Sequence, residues 1–111
     1  MLMAVKRFKT AFVAMAPDAE PSKHRSVIDT STSQLTSVLV RDEDEAVKVC
    51  ADLVKHSEVQ SILLCPGFTH AGVAKVAAAV GREVSVNVSR GDGPSNGVAM
   101  KYLKEAGYGV H

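Results

Sequence analysis

The chain has 111 residues, of which 46% are hydrophobic and 23% charged, and its 13 basic and 12 acidic residues leave a formal net charge of +1. This length suits a single domain over residues 1–111, and the hydrophobic content excludes a disordered chain. There is no basic block, and with three Phe, two Tyr and no Trp there are few stacking surfaces, so nucleic acid is not an expected partner.

No apolar stretch approaches the roughly 20 residues that cross a bilayer. The N-terminal residues also lack the pattern of a cleavable signal peptide. We therefore expect a cytoplasmic protein with no membrane contact, in which Cys50 and Cys65 remain thiols.

The first half of the chain predicts two strands and two helices. Residues 8–16 (FKTAFVAMA) are almost wholly apolar and end at Pro17, which predicts a strand after an N-terminal extension of residues 1–7. Pro21 and Ser22 favour a short helix over residues 23–29, and residues 35–40 (LTSVLV) predict a second strand.

The segment DEDEAVKVCADLVKHS predicts the clearest helix, because acids fill its first turn and Asp42 can cap it. Its apolar residues recur at helical spacing and form one stripe. The stripe consists of Ala46, Val47, Cys50, Leu53 and Val54. Cys50 is therefore expected to be a packing residue.

The second half predicts two more strand and helix pairs. Residues 59–65 (VQSILLC) predict a third strand covered on both faces, and Thr69 is the expected cap of a helix over residues 70–80. Residues 84–88 predict a fourth strand, and residues 95–106 a last helix before a loose tail of residues 108–111. The apolar stripe of the last helix, expected to face inward, consists of Val98, Ala99, Tyr102, Leu103 and Ala106.

Strands alternating with helices predict a single α/β domain with four mainly parallel strands, in a flavodoxin-like or half-barrel-like three-layer arrangement. A sheet this small leaves an apolar edge and partly covered helix flanks. We therefore expect a homodimer or a larger homo-oligomer.

Ligands of parallel α/β sheets bind at the carboxyl ends of the strands, where helix N-termini present free amides. The loops at that end contain the candidate site residues. The candidate catalytic residues are Cys65, His70 and Asp92, and the candidate substrate-binding residues are His24, Arg41, Phe68, Thr69, Arg90, Gly91, Gly93, Ser95 and Asn96.

The segment CPGFTH is the most suggestive of these loops. A thiol at the tip of a strand beside a helix N-terminus favours the nucleophilic thiolate, and His70 can act as a base or proton donor near neutral pH. The alternative is that Cys65 is the last core residue of its strand and His70 a solvated residue of the first helical turn.

The loop SRGDGPSNG has three glycines and a proline before a helix, so its amides can form a concave nest for a phosphate or carboxylate, with Arg90 as an additional cation. The alternative is an ordinary connection in which Asp92 or Ser95 caps the helix. The spacing matches no nucleotide-binding motif. The four histidines show no paired spacing with Cys or carboxylates, so we expect no metal and no cofactor.

Three runs together resemble a family of small bacterial proteins of unknown function: VAMAPDAEPSKHRSVIDT, LTSVLVRDEDEAVKVCADLVK and VQSILLCPGFTHAGVAKVAAAVGREVSVNVSRGDG. The resemblance extends from Phe8 to about Gly93 and is most specific around Cys65, Pro66, Gly67 and Phe68. Members often have Gly where this chain has Pro66, which implies a stiffer loop here. The resemblance implies a compact α/β fold and no established activity.

The leading hypothesis is an enzyme of lyase, isomerase or hydrolase type that acts on a small anionic or carbonyl metabolite. Cys65 is then the nucleophile or acid, His70 the proton shuttle and Arg90 the anion clamp, while Asp92 orients the others. The alternative hypothesis is a non-catalytic small-molecule-binding or assembly module that uses the same pocket.

Overall fold

The computed structural model describes residues 6–109, which form one sheet and three helices. The strands are β1 (Phe8–Met15), β2 (Arg25–Asp29), β3 (Ser33–Val40), β4 (Ser61–Leu64) and β5 (Ser85–Val88). The helices are α1 (Glu43–Ser57), α2 (His70–Val80) and α3 (Gly93–Glu105). Residues 1–5 of the predicted N-terminal extension and residues 110–111 of the predicted tail lie outside the described part of the chain.

The five strands lie in the order β2-β3-β1-β4-β5. β1 pairs in parallel with both β3 and β4, and β4 pairs in parallel with β5. These are the four strands that the sequence predicted, and their common direction is confirmed. The sheet is nevertheless mixed, because β2 is a fifth strand that pairs antiparallel with β3.

The short helix predicted over residues 23–29 is wrong, since residues 25–29 form β2. Val27 and Ile28 are β-branched and favour an extended backbone, and the Oγ1 atom of Thr30 accepts the backbone N–H of Ser33 at 3.0 Å, which closes a tight turn into β3. The edge position of β2 leaves all five of its residues exposed. Pro21 and Ser22, which favoured a helix, therefore precede an edge strand instead.

The core lies between one face of the sheet and the helix pair α1 and α2. Alternate strand residues such as Val13, Val38 and Leu64 are buried on that face, and α1 contributes Cys50 and Leu53. The predicted apolar stripe of α1 is thus confirmed, with Ala46, Cys50 and Leu53 buried and Val47 and Val54 partly buried against them.

Both packed helices begin at the predicted N-caps. The Asp42 side chain accepts from the backbone N–H of Glu45 at 2.8 Å, and the Thr69 hydroxyl accepts from that of Gly72 at 3.0 Å. Each cap stabilises its helix by about 1 kcal/mol. α2 ends at Gly81, whose φ of 86° is readily adopted only by glycine.

The other face of the sheet is uncovered, so the arrangement has two layers and the predicted three layers are wrong. Five large apolar residues on this side, which we call the open face, are exposed: Phe8, Ile28, Leu35, Leu39 and Leu63. The prediction that the third strand is covered on both faces is therefore also wrong, because Leu63 is 41% exposed.

α3 forms where predicted, but its apolar stripe does not face inward. No residue of α3 is buried, and Val98 and Tyr102 are 60% and 59% exposed. The prediction of an inward stripe treated amphipathic spacing as proof of a partner within the same chain. Among residues 6–109, no helix is long and apolar enough to cross a membrane.

Candidate functional site

The loops that follow the parallel strands meet at the carboxyl end of the sheet, which we call the rim. Backbone hydrogen bonds extend the strand pairing into these loops: Ala16 N–H donates to Val40 O at 2.8 Å, Cys65 N–H to Val13 O at 3.1 Å and Ser89 N–H to Leu64 O at 2.8 Å. The positions of the loop residues are therefore determined by the sheet rather than by the loops alone.

The loop after β4 is a tight turn that places Cys65 at the rim. The Phe68 N–H donates to the Cys65 carbonyl at 3.2 Å, and the Phe68 ring is 1% exposed and packs in the core. A Cβ atom on Gly67 would lie 3.0 Å from Met15 Cε and 3.7 Å from Cys65 Sγ. The Cys65 residue, which is partly buried, thus has its thiol beside Gly67.

Glu43 occupies the N-terminus of α2. Its carboxylate accepts the backbone N–H of Thr69 at 2.7 Å and the Thr69 hydroxyl at 2.9 Å and 3.1 Å. A negative charge is stabilised at this end of a helix. The chain therefore supplies from α1 the anion that a ligand was expected to supply, and Thr69 is engaged in capping.

The sequence interpretation missed Glu43, which it treated as one of several acids complementing the dipole of α1. Gly72 was the available signal. A Cβ atom there would lie 2.0 Å from the Glu43 carboxylate, so a glycine inside the first turn of α2 indicates that another group approaches the backbone closely.

Arg90 connects the loop after β5 to the turn after β4. Its Nη1 group donates to the Phe68 carbonyl at 2.8 Å and to the Pro66 carbonyl at 3.2 Å. Within residues 6–109, its Nε and Nη2 groups donate no hydrogen bond. The structure therefore brings a guanidinium with unused donors to the same turn that holds Cys65.

Neither Gly91 nor Gly93 in the loop after β5 has positive φ, so this loop lacks the form of an amide nest that alternates right-handed and left-handed backbone. Asp92 is the N-cap of α3 by position, without a side-chain hydrogen bond to the helix. The Asn96 amide instead donates to the Gly91 carbonyl at 3.4 Å, and Ser95 is exposed on the first turn.

Arg41 and His24 lie at the ends of neighbouring strands, and both have partners within the chain. Arg41 forms an ion pair with Glu45 at 2.9 Å. The hydrogen bond between them raises the pKa of Arg41 and lowers that of Glu45. The Nδ1 atom of His24 accepts the Glu20 N–H at 2.8 Å.

The three candidate catalytic residues are not linked to one another. Within the part of the chain that the structure describes, no side-chain hydrogen bond joins Cys65, His70 and Asp92, and His70 is exposed. Burial raises the pKa of the Cys50 thiol to about 12, in agreement with the packing role expected for it. Residues 6–109 contain no group of three or more His, Cys, Asp or Glu side chains that could hold a metal ion.

Two surface concavities lie away from the turn that holds Cys65. One of about 720 Å³ lies between α1 and α2 and is lined by Asp44, Lys48 and Lys75 among others. The second, of about 350 Å³, includes His24 and Leu39 beside β2 and β3. Neither is lined by Cys65, His70 or Arg90.

Comparison with known proteins identifies a family and no characterised relative. No curated protein and no solved structure matched the chain. A model of a family of unknown function (DUF6506) matches residues 8–103. The match continues past Gly93, where the resemblance seen in the sequence ended, and so includes Ser95, Asn96 and most of α3. Since it covers all five strands and all but two residues of α3, the chain belongs to this family of unknown function.

Proposed function

We propose that the chain is a cytoplasmic enzyme of lyase, isomerase or hydrolase type that acts on a small anionic or carbonyl metabolite at the rim. Cys65 is the nucleophile or acid, His70 the proton shuttle, Arg90 the anion clamp and Asp92 the orienting carboxylate. The observation that supports the proposal is the contact of Arg90 with the Pro66 and Phe68 carbonyls, which keeps a cation beside the thiol loop.

Arg90 is the preferred anion-binding group because two other candidate positive sites, the N-terminus of α2 and Arg41, are already paired with carboxylates of the chain. Glu43 accepts from Thr69 at the N-terminus of α2, and Glu45 pairs with Arg41. The unused Nε and Nη2 groups of Arg90 can donate to two oxygens of one carboxylate. A planar carboxylate or an enolate-like oxygen pair is therefore the expected ligand group.

A binding experiment tests this proposal first. We expect a panel of α-keto acids and small dicarboxylates to contain compounds that shift the amide NMR signals of residues 65–70 and 89–92. Arg90→Lys should weaken binding at least tenfold, since lysine cannot donate two parallel hydrogen bonds. Arg82→Lys is the matched control, because Arg82 is exposed and outside both loops. Equal affinity in both variants contradicts the assigned role of Arg90.

Turnover of the bound compound tests the catalytic roles. Cys65→Ser and His70→Ala should each abolish conversion while leaving binding within a few fold of the unaltered chain. Conversion that survives both substitutions would exclude catalysis by these two residues.

The alternative proposal is a non-catalytic binding or assembly module at the same surface. It is favoured by the lack of hydrogen bonds among Cys65, His70 and Asp92 within residues 6–109, because a general base normally contacts the group that it activates. Binding of a metabolite that depends on Arg90, without conversion of any bound compound, would favour the module over the enzyme.

A further inference from the structure

The open face is unusual for a sheet in which four of the five strands are parallel. Such sheets are normally covered on both faces, yet on this side Phe8 and Ile28 are 55% and 59% exposed. The residues with the same orientation on the five strands include no Asp, Glu, Lys or Arg, as the strand sequences and their register show. A face that remained in water would be expected to carry charges, so its composition indicates burial against an apolar surface.

α3 has the complementary property. One side of α3 exposes an apolar stripe of Val98, Ala99, Tyr102 and Leu103. At helical spacing, Lys101 lies beside this stripe and Lys104 lies opposite it. A helix of 13 residues is only marginally stable in water on its own. Its apolar side therefore requires a packing partner.

The two surfaces do not meet within one chain. The longest dimension of the structure is 56 Å, against 28 Å and 26 Å for the other two. An eight-residue strand is about 26 Å long and a 13-residue helix about 20 Å, so these dimensions agree with α3 extending away from the sheet, as its lack of buried residues also indicates. The segment that connects β5 to α3 is fixed by hydrogen bonds. Ser89 donates to Leu64, and Arg90 donates to Pro66 and Phe68.

We propose that two copies of the chain form a two-fold dimer in which α3 of each copy packs on the open face of the other. A two-fold arrangement satisfies both surfaces at once, because the helix that extends from one copy reaches the sheet of its partner and the contact is repeated by symmetry. The uncharged open face allows this packing without desolvation of an ion. Cations lie at its β2 edge, where Lys23, His24 and Arg25 line a concavity together with Phe12, Ser37 and Leu39.

The contact area is sufficient for a dimer. Each helix covers roughly 20 Å by 10 Å of sheet, so the two helix faces and the two sheet faces together amount to roughly 800 Å² in projection. The accessible surface of the side chains is larger than their projected area, so the total surface buried approaches the lower part of the usual range of about 1,200–2,000 Å². We therefore expect a reversible dimer rather than an obligate one.

Matched substitutions test the proposal by sedimentation equilibrium and light scattering. Val27 and Ile28 are adjacent on β2 and 52% and 59% exposed, but they point to opposite faces. Ile28→Glu should raise the dimer dissociation constant at least about tenfold, and Val27→Glu should leave it within about twofold. On α3, Tyr102→Glu should act like Ile28→Glu, whereas Lys104→Glu on the opposite side should not. Circular dichroism of each variant checks that the sheet is still folded.

The mode of packing is tested by NMR on a dimer that mixes ¹³C-labelled and unlabelled chains. We expect intermolecular contacts between the methyl groups of Leu35, Leu39 or Leu63 in one chain and those of Val98 in the other. A monomeric unaltered chain, a dimer insensitive to Tyr102→Glu, or contacts found only within one chain would each overturn the proposal.

Discussion

For Gly72→Ala, a single contact in the structure decides whether the substitution raises or lowers the free energy of unfolding. Inside a helix, replacing Gly by Ala normally stabilises a protein by about 1 kcal/mol. Here the new Cβ atom would lie 2.0 Å from the Glu43 carboxylate. Glu43 is flexible and can move away, so the cost is the loss of its hydrogen bonds to the Thr69 N–H and hydroxyl rather than backbone strain.

The free energy lost with the two hydrogen bonds of Glu43 should exceed the free energy gained from the helix propensity of Ala. Hydrogen bonds to a charged group contribute about 1.5–3 kcal/mol each, and partial exposure of Glu43 places these two at the lower end. Subtracting the helix-propensity gain leaves a net destabilisation of about 2 kcal/mol. Urea denaturation should therefore show a lower midpoint at an unchanged m-value, and the melting temperature should fall by about 5–10 °C.

A double-mutant cycle separates this mechanism from a general effect on α2. In a Glu43→Ala background the clash is absent, so Gly72→Ala should become stabilising by about 1 kcal/mol. Gly97→Ala is the matched control, because a Cβ atom at this position in α3 meets no atom within 4 Å. The reasoning is refuted if Gly72→Ala stabilises the unaltered chain, or if its effect is the same in both backgrounds.

Three further predictions follow from individual contacts. Arg90→Ala removes the hydrogen bonds to Pro66 and Phe68, so Cys65 should react with iodoacetamide several-fold faster than in Arg82→Ala; equal rates would show that Arg90 does not restrain the turn. Burial raises the pKa of Cys50 from 9.0 to about 12, so as pH rises the unfolded chain loses this proton before the folded chain does. The free energy of unfolding should therefore fall between these two pH values, by at most about 1.4 kcal/mol per pH unit. Cys50→Ala should remove this part of the slope, and an unchanged slope would assign it to other groups. In native protein at pH 8, iodoacetamide should modify Cys65 and leave Cys50 intact by mass spectrometry; modification of both at similar rates would contradict the burial of Cys50.

The four parallel strands and the two packed helices could be predicted because local signals and long-range packing agree there. In α1, the acids of the first turn, the Asp42 cap and the apolar stripe all specify the same helix. In α2, the Thr69 cap and Gly81 set both ends. Consistency of this kind is what makes an element readable from sequence.

The errors have different physical causes. Residues 25–29 form a hairpin with the strand that directly follows them, and local signals for it were present in the β-branched Val27 and Ile28 and in the turn at Thr30; the helix was expected because Pro21 and Ser22 were given more weight. The other two features depend on contacts that local sequence does not encode. The spacing of Val98 and Tyr102 shows that α3 is amphipathic, but not whether its partner belongs to the same chain. The contact of Glu43 with Thr69 joins residues 26 positions apart, and only Gly72 hinted at it.

The proposed site and the proposed dimer share one segment, residues 89–92, and this couples them. Arg90 lies two residues before the N-cap of α3, so packing of α3 on a partner would hold the loop that positions the guanidinium. If ligand binding and association stabilise the same loop conformation, each must strengthen the other by the same factor. We therefore expect a ligand at the rim to lower the dimer dissociation constant. We also expect Ile28→Glu to weaken ligand binding, although Ile28 lies on β2, at the opposite edge of the sheet from β5 and Arg90. Unchanged ligand affinity in a fully monomeric Ile28→Glu chain would show that the bonds of Arg90 to Pro66 and Phe68 suffice to position it, and that the two proposals are independent.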